Sequence, residues 1–583
     1  MRCGHTAITR TLCGGTHRPV HRGHPPTALA RTASLAVLLL AAAVPSIASQ
    51  PTYPDRWVHV TCWPHADADV EHVRQIADAA SANGFTGLLL DAGLDCLDTQ
   101  DAAYLARVQQ VRRLCEQRGL EVVPLIFSVG YGHAALRHDR NLAEGVPVTN
   151  ALFTVQGGEA RLTPDPPVTV PNGDFGAVRL GDEFADLGYQ ENPGAITFVD
   201  RDTVHAGEAS LRCQDIPEHS AGGKARVAWT IPVRPRAQYR VSLWVKTDAL
   251  QPSSAFSVQA HGDQGILDSV NPVREATTDW TRVVFAFNSR QNTRLSLWAG
   301  AWGAQGGRFW LDDVRIEELG LRRVIRREGA PLVVTREDGD LTCEEGRDFE
   351  PIRDPRLADV TGDGDDPPIR LAPDSRIREG ERLRVSFYHT AVISWKSQVP
   401  LCMSNPELYA LWRKQAHLLR EVLAARSYFL DMDEIRAGGT CAACRARGVG
   451  MDEILGGCIT KQAEILRETT PGANVYIWSD MLDPEHNAHA GFYLVDGDLR
   501  DAWRHVPQDL VIACWGRHEA LTFFAERGFA TAAGICCDGG NVEHMQAWLA
   551  ALARTPRARG AVYVTWANDY ALLPQLGQAL APR

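Results

Sequence analysis

Beyond residue 44 the chain has no apolar run long enough to cross a bilayer, which excludes a bundle of membrane-spanning helices. It also lacks an excess of positive charge. Its 60 Lys and Arg face 71 Asp and Glu for a formal charge of −11, and no basic stripe follows the first thirty or so residues. That argues against a nucleic-acid partner. No His-x-His or His-Glu-x-x-His spacing occurs, so a metal-dependent hydrolase could draw only on scattered His65, His133, His389, Asp91 and the Cys441/Cys444 pair. No internal repeat or low-complexity tract is evident. What is there is globular in composition, 45% hydrophobic and 22% charged over 583 residues, enough for two or three domains.

Residues 1–33 carry Arg, His and Thr but no acid, and 34–44 form an apolar run of signal-peptide length followed by Pro45-Ser46-Ile47-Ala48-Ser49. We read 1–49 as a secretory leader, with a membrane anchor as the alternative. Export implies a secreted, periplasmic or cell-surface protein with no stable membrane span once the leader is removed. Of the 14 cysteines, Cys62, Cys514, Cys536 and Cys537 lie in apolar strand-like runs, where a thiol is usually a small buried hydrophobe. Cys441 and Cys444 form a C-x-x-C. A local disulfide ranks first for them, a zinc knot with Cys458 and an unassigned fourth ligand second, and free thiols third.

Residues 50–164 alternate strand and helix: strands at 57–62, 86–90 and 122–128, helices at 67–83 and 98–118 that stop at Gly84 and Gly119. The pattern predicts parallel strands with helices outside. From 165 to 320 it becomes short alternating runs between Gly, Asn and Asp turns, the mark of a β-sandwich. Residues 321–382 are β-rich and irregular. Their stretch 359–366 begins like a calcium loop, but Arg370 stands where a bidentate Glu is needed, so an acidic turn is the better reading. Alternation resumes in 383–583, with strands at 383–388, 428–432, 475–478, 510–515, 531–536 and 561–566. That makes nine candidates, one too many for an eight-stranded barrel, and 383–388 is the one to drop. The fold class is therefore α/β, a (β/α)8 TIM barrel interrupted by an inserted all-β jelly-roll sandwich.

Residues 427–434, Ser-Tyr-Phe-Leu-Asp-Met-Asp-Glu, run a buried strand into two acids. Such barrels carry catalytic groups at strand C-terminal ends, and paired carboxyls suit glycoside hydrolysis. The plain alternative is a solvated cap on the next segment.

Two family resemblances follow from particular residues. Segment 168–318, through Asn172-Gly173-Asp174-Phe175, the 205–212 run His-Ala-Gly-Glu-Ala-Ser-Leu-Arg, the 239–247 strand and Phe309-Trp310-Leu311-Asp312-Asp313-Val314, resembles carbohydrate-binding modules of families 4 and 9. This implies a jelly roll, often with a structural calcium. Trp298 and Trp302 fall on a plausible sugar face, while Trp244, Trp280 and Trp310 match positions usually in the core. The barrel halves resemble glycoside hydrolase family 20, the β-N-acetylhexosaminidases. Asp433-Glu434 matches its Asp-Glu pair, Trp478, Trp515 and Trp566 its tryptophans, Asp538 an Asp on strand seven, and Gly132-His133 a Pro-Gly-His. The resemblance implies substrate-assisted catalysis on an oligo- or polysaccharide with no catalytic cofactor or metal. Glu434 would protonate the leaving oxygen, Asp433 would orient an acetamide, and Asp91, His133, Trp478, Asp480, Trp515, Asp538, Trp566 and Asn568 would bind sugar. Asp480 or Asp538 is the nucleophile if displacement is direct. Departures are as clear. Phe429-Leu430-Asp431-Met432 replaces a His-x-Gly-Gly, Cys536 a tyrosine, Asn568 a glutamate, and Pro124-Leu125 a Pro-Glu. The expectation is an exported glycosidase, hexosaminidase-like. The alternative is a non-catalytic polysaccharide-binding protein on a degenerate barrel.

Overall fold

The structure, a computed structural model, describes residues 53–353 and 362–581. The expected leader lies outside them, as does the start of the 359–366 turn. Eight parallel strands close into a barrel in chain order: β1 (Asp55–Thr61), β2 (Gly87–Asp91), β3 (Glu121–Ile126), β4 (Ser427–Leu430), β5 (Asn474–Trp478), β6 (Val511–Cys514), β7 (Ala530–Cys536) and β8 (Ala558–Val564). β8 returns to β1 with Asp55 opposite Gly560. That seam needs glycine: φ at Gly560 is +153°, and a Cβ there would sit 1.8 Å from the Asp55 carbonyl oxygen.

Alternation sorts each strand's side chains. Trp57, Leu89, Val123, Leu125, Phe429, Tyr476, Trp478, Val511, Ala513, Val562 and Val564 fill the barrel interior. Their sequence neighbours Val58, Val60, Leu88, Leu90, Tyr428, Leu430, Val475 and Ile477 join the outer layer of helices. Those helices are α1 (Asp67–Ala82), α2 (Ala102–Glu116), α3 (Pro406–Leu423), α4 (Met451–Thr469), α5 (Glu519–Glu526), α6 (Val542–Arg554) and α7 (Leu573–Leu580). A polar plug closes the bottom of the barrel: the Tyr476 hydroxyl donates to Asp55 (2.6 Å), which also pairs with Arg559 (2.5 Å).

All the antiparallel strands of the large sheets fall between β3 and β4. Two five-stranded sheets, built from residues 189–319, face one another over a common apolar core that includes Trp229, Leu243, Phe256, Phe285 and Phe309. A separate six-stranded sheet joins 145–162 to Arg382–Thr390 and the short strands between 333 and 370. Two expectations need correction. Residues 145–162 belong with that sheet and not with the first barrel half, because Gly145–Gln156 pairs along the length of Arg382–Thr390. Strand 382–390 is indeed outside the barrel. Trp244 and Trp280 are half-buried, not core. In strand Gln238–Gln251 the core takes Val241, Leu243 and Val245, so parity turns Trp244 outward, where it stacks on His205 at 3.9 Å.

The cysteine expectation is corrected as well. No disulfide joins Cys441 to Cys444; both are buried free thiols that approach Cys402. Cys458 is elsewhere, buried in α4.

Candidate active site

At the end of β4 the Asp431 amide still donates to the Ile126 carbonyl (2.7 Å), so the β3–β4 ladder carries the chain to the barrel mouth. The next turn is tight. Glu434 has φ of +47°, a left-handed conformation that a glutamate adopts only when its surroundings impose it. Three contacts do so. The Glu434 amide donates to Asp480 Oδ2 (2.8 Å), its carbonyl accepts from Gln398 Nε2 (2.9 Å), and Gly130 leaves room for the Asp433 carbonyl, which would lie 2.8 Å from a Cβ there.

The Glu434 side chain is 3% exposed and both oxygens are held. Oε2 accepts from the Tyr131 hydroxyl (2.5 Å), and Oε1 pairs with Arg436 Nη2 (2.7 Å). Arg436, also 3% exposed, has Gln398 Oε1 and the Tyr131 oxygen on Nη1 (3.4 and 3.2 Å) and lies over the rings of Trp395 and Tyr493 (5.1 and 5.5 Å). A guanidinium in contact with a buried carboxyl favours its ionised form. Both Glu434 oxygens, expected to face a leaving group, are thus already occupied by Tyr131 and Arg436. Asp433, at 4% exposure, is buried beside it.

Asp480, expected as a sugar ligand or nucleophile, is a bracket instead. It is fully buried and accepts from the Glu434 amide, Asn487 Nδ2 (2.9 Å) and Trp515 Nε1 (3.1 Å). Burial raises its pKa, opposed by His486, the Glu434 amide and Asn487. Asp538 likewise caps the turn after β8, accepting from the Thr565 hydroxyl and the Trp566 amide (2.8 Å), and Trp566 packs against His59 (4.6 Å). Trp478 is floor rather than wall: it is buried inside the barrel against Phe429 at 4.4 Å. Asp91 ends β2 half-buried, close enough to Asp95 and Asp431 for the three acids to form a group at the mouth. Burial pushes the Asp95 carboxyl up to about 7 although the Phe127 and Ser128 amides donate to it. His133 and Asn568 are exposed.

The structure thus brings together Asp433, Glu434, Asp480 and Trp515, and adds Tyr131, Gln398 and Arg436, which sequence reasoning missed; Asp95, also missed, joins Asp91 and Asp431. Arg436 was in view, two residues past Glu434, but its pairing depends on the left-handed turn. Tyr131 precedes the Gly132-His133 already singled out, yet reaches Glu434 across 303 residues of chain.

No family profile matches the chain, and no curated protein does. Neither resemblance drawn from the residues therefore gains a family match. Among solved structures, similarity is found to a family 4 carbohydrate-binding module (13% identity over 26% of this chain and 99% of that one, TM-score 0.19). It is also found to a xylan-binding domain from Paenibacillus barcinonensis (17% identity over 26% and 92%, TM-score 0.19). A rhamnosidase from Novosphingobium sp. PP1Y matches at 11% identity over 88% of this chain and 55% of that one, with a TM-score of 0.29. Likenesses at this level establish neither a family nor an activity for the chain.

Proposed function

We propose that the chain is an exported glycoside hydrolase whose (β/α)8 barrel cleaves glycosidic bonds at the mouth, with an inserted jelly-roll sandwich that binds glycan. One observation carries this reading: a buried carboxylate, Glu434, is clamped between a phenol and a guanidinium on a left-handed residue at the C-terminal end of β4, next to a second buried acid. Enzymes hold charge in advance where charge will develop, and an oxocarbenium-like transition state asks for a fixed anion. Glu434 supplies that anion, as nucleophile or as electrostatic partner of the anomeric carbon. Asp433, the adjacent acid, takes the proton-transfer role. Asp480, Gln398 and Gly130 are positioning residues that hold the turn. Trp515 and Trp566 border the sugar.

The narrower hexosaminidase-like reading assigns Asp433 to the acetamide and Glu434 to the leaving oxygen. It requires a substrate to displace Arg436 from Glu434 first. Cys536, at the end of β7 where the family resemblance calls for a tyrosine, is a weak hydrogen-bond donor to a cyclised amide. Turnover of aryl glycosides with and without a 2-acetamido group, by wild type and Glu434→Gln, tests both. Loss of activity in the variant supports the site. Dependence on the acetamido group selects the narrower reading, and wild-type activity in the variant removes both.

A second reading, glycan binding without hydrolysis, has its own observation. On the sandwich, Tyr189, Trp298 and Trp302 gather around the Arg226 guanidinium (5.6, 5.4 and 5.9 Å), itself paired with Glu191 (2.8 Å). Aromatic faces with a fixed charge beside them form a platform for sugar C–H faces and hydroxyls. Capture on a glycan array with no hydrolysis of any captured glycan would favour it.

A further inference from the structure

On the far side of the loop that follows the acid pair, the fold gathers four side chains able to ligate a metal, none of which the proposed reaction uses. Glu144 lies between β3 and the six-stranded sheet, Cys402 on the approach to α3, and Cys441 and Cys444 on the loop after Glu434. All four are buried, with ligand atoms within 4.8 Å of one another. Cys402 Sγ stands 3.5 Å from Cys441 Sγ and 3.9 Å from Cys444 Sγ, and Cys444 Sγ is 3.7 Å from Glu144 Oε2. Around a tetrahedral zinc with Zn–S near 2.3 Å, sulfurs sit about 3.8 Å apart. The separations of 3.5–3.9 Å match that spacing.

The rest of the chemistry agrees. Glu144 Oε1 is fully used by the Thr440 amide, the Thr440 hydroxyl and the Cys441 amide (2.8, 2.9 and 2.9 Å), which turns Oε2 towards the sulfurs. Outer donors of this kind fix a ligand's orientation. Arg327 Nη2 reaches Cys441 Sγ (3.7 Å) and so offsets part of the negative charge that three thiolates and a carboxylate leave around a divalent ion. A disulfide between any two of the sulfurs would strand the third beside an uncompensated buried carboxylate, a costly arrangement. Mixed thiolate and carboxylate ligands suit zinc better than the softer copper(I).

We infer that Glu144, Cys402, Cys441 and Cys444 form a closed structural zinc site that ties the loop carrying Arg436 to the segments before and after the inserted strands. Binding releases the three thiol protons to solvent, and with four protein ligands no position is left open for a substrate. The zinc acts on the active site only by holding the 435–446 loop, so it is independent of which reaction the barrel performs.

The test is elemental analysis of the full-length protein purified without chelator, with mercurial titration of thiols and zinc release followed by a chromogenic chelator. The expected result is about one zinc per chain, freed as about three protected thiols react. Zinc-edge absorption should show about three sulfurs near 2.3 Å and one oxygen near 2.0 Å. Cys441→Ser and Glu144→Gln should lose most of the metal, and Cys458→Ala should keep it. If the ligand variants do not fold, wild-type stoichiometry and the absorption spectrum still decide. Metal-free protein after growth with added zinc, a mapped disulfide among the three cysteines, or equal loss of zinc in Cys458→Ala would each overturn the assignment.

Discussion

The Glu434–Arg436 pair offers the sharpest energetic test of the site. Both side chains are 3–4% exposed and their charged atoms are 2.7 Å apart. At an effective dielectric near 20, that separation is worth roughly 6 kcal/mol of attraction, most of it spent on removing two charges from water. Deleting one partner leaves the other buried without that counter-ion, which costs about 3–5 kcal/mol. Arg436→Met should therefore lower the urea midpoint strongly, and Glu434→Gln should do so as well, because it strands the guanidinium. The double variant removes both charges, so its loss should fall short of the sum by about 1–3 kcal/mol. The same argument gives a functional signature. Without Arg436, Glu434 holds a proton to higher pH, so the acid limb of the kcat/KM profile should move upward in Arg436→Met. Additive losses in the cycle and an unmoved acid limb would refute the claim that Arg436 keeps Glu434 charged.

Three further outcomes follow from other parts of the molecule. Gly560→Ala should destabilise the barrel by about 1–3 kcal/mol, read as a lower thermal midpoint, because its Cβ would meet the Asp55 carbonyl at 1.8 Å; an unchanged midpoint would mean the β1–β8 seam is open. Asp95 is raised to about 7 in the fold, against about 3.9 unfolded, so what its protonated form contributes is complete below pH ~4 and is lost as pH climbs through 7. Comparing midpoints of Asp95→Asn and wild type from pH 4 to 8 should show the balance shift towards the variant by at most about 4 kcal/mol; a constant gap would mean Asp95 ionises freely. Trp298→Ala should weaken glycan binding about fivefold, some 1 kcal/mol of stacking, with no change in unfolding, by calorimetry on whichever glycan the array selects; undiminished affinity would move the platform elsewhere.

The barrel was legible because strands buried on both faces are short apolar runs that end at the mouth in a polar residue. Leu88–Leu90 before Asp91 and Tyr428–Leu430 before Asp431 are of this kind. The strand at 382–390 has the same apolar run, and only the count of eight argued it out; its true partner, 145–156, was hidden by more than two hundred residues of intervening chain. Trp244 shows the limit of matching by position: the family likeness placed it inside, while the parity of its own strand places it outside. The acid pair could be read from β4 alone, but what makes it a site could not. Tyr131, Gln398 and Asp480 converge on Glu434 from three other segments, and Glu144 meets Cys441 from 297 residues away. Such convergence leaves no local spacing to detect, and for that reason the C-x-x-C first read as a disulfide.

The role of Glu434 is most directly measured with Glu434→Ala, assayed on dinitrophenyl and nitrophenyl glycosides with and without azide. A charged partner of the anomeric carbon predicts loss of turnover on every leaving group, restored by azide with a glycosyl azide as product. Full turnover of the dinitrophenyl substrate without azide would instead make Glu434 the proton donor and contradict the charge assignment made from its pairing with Arg436.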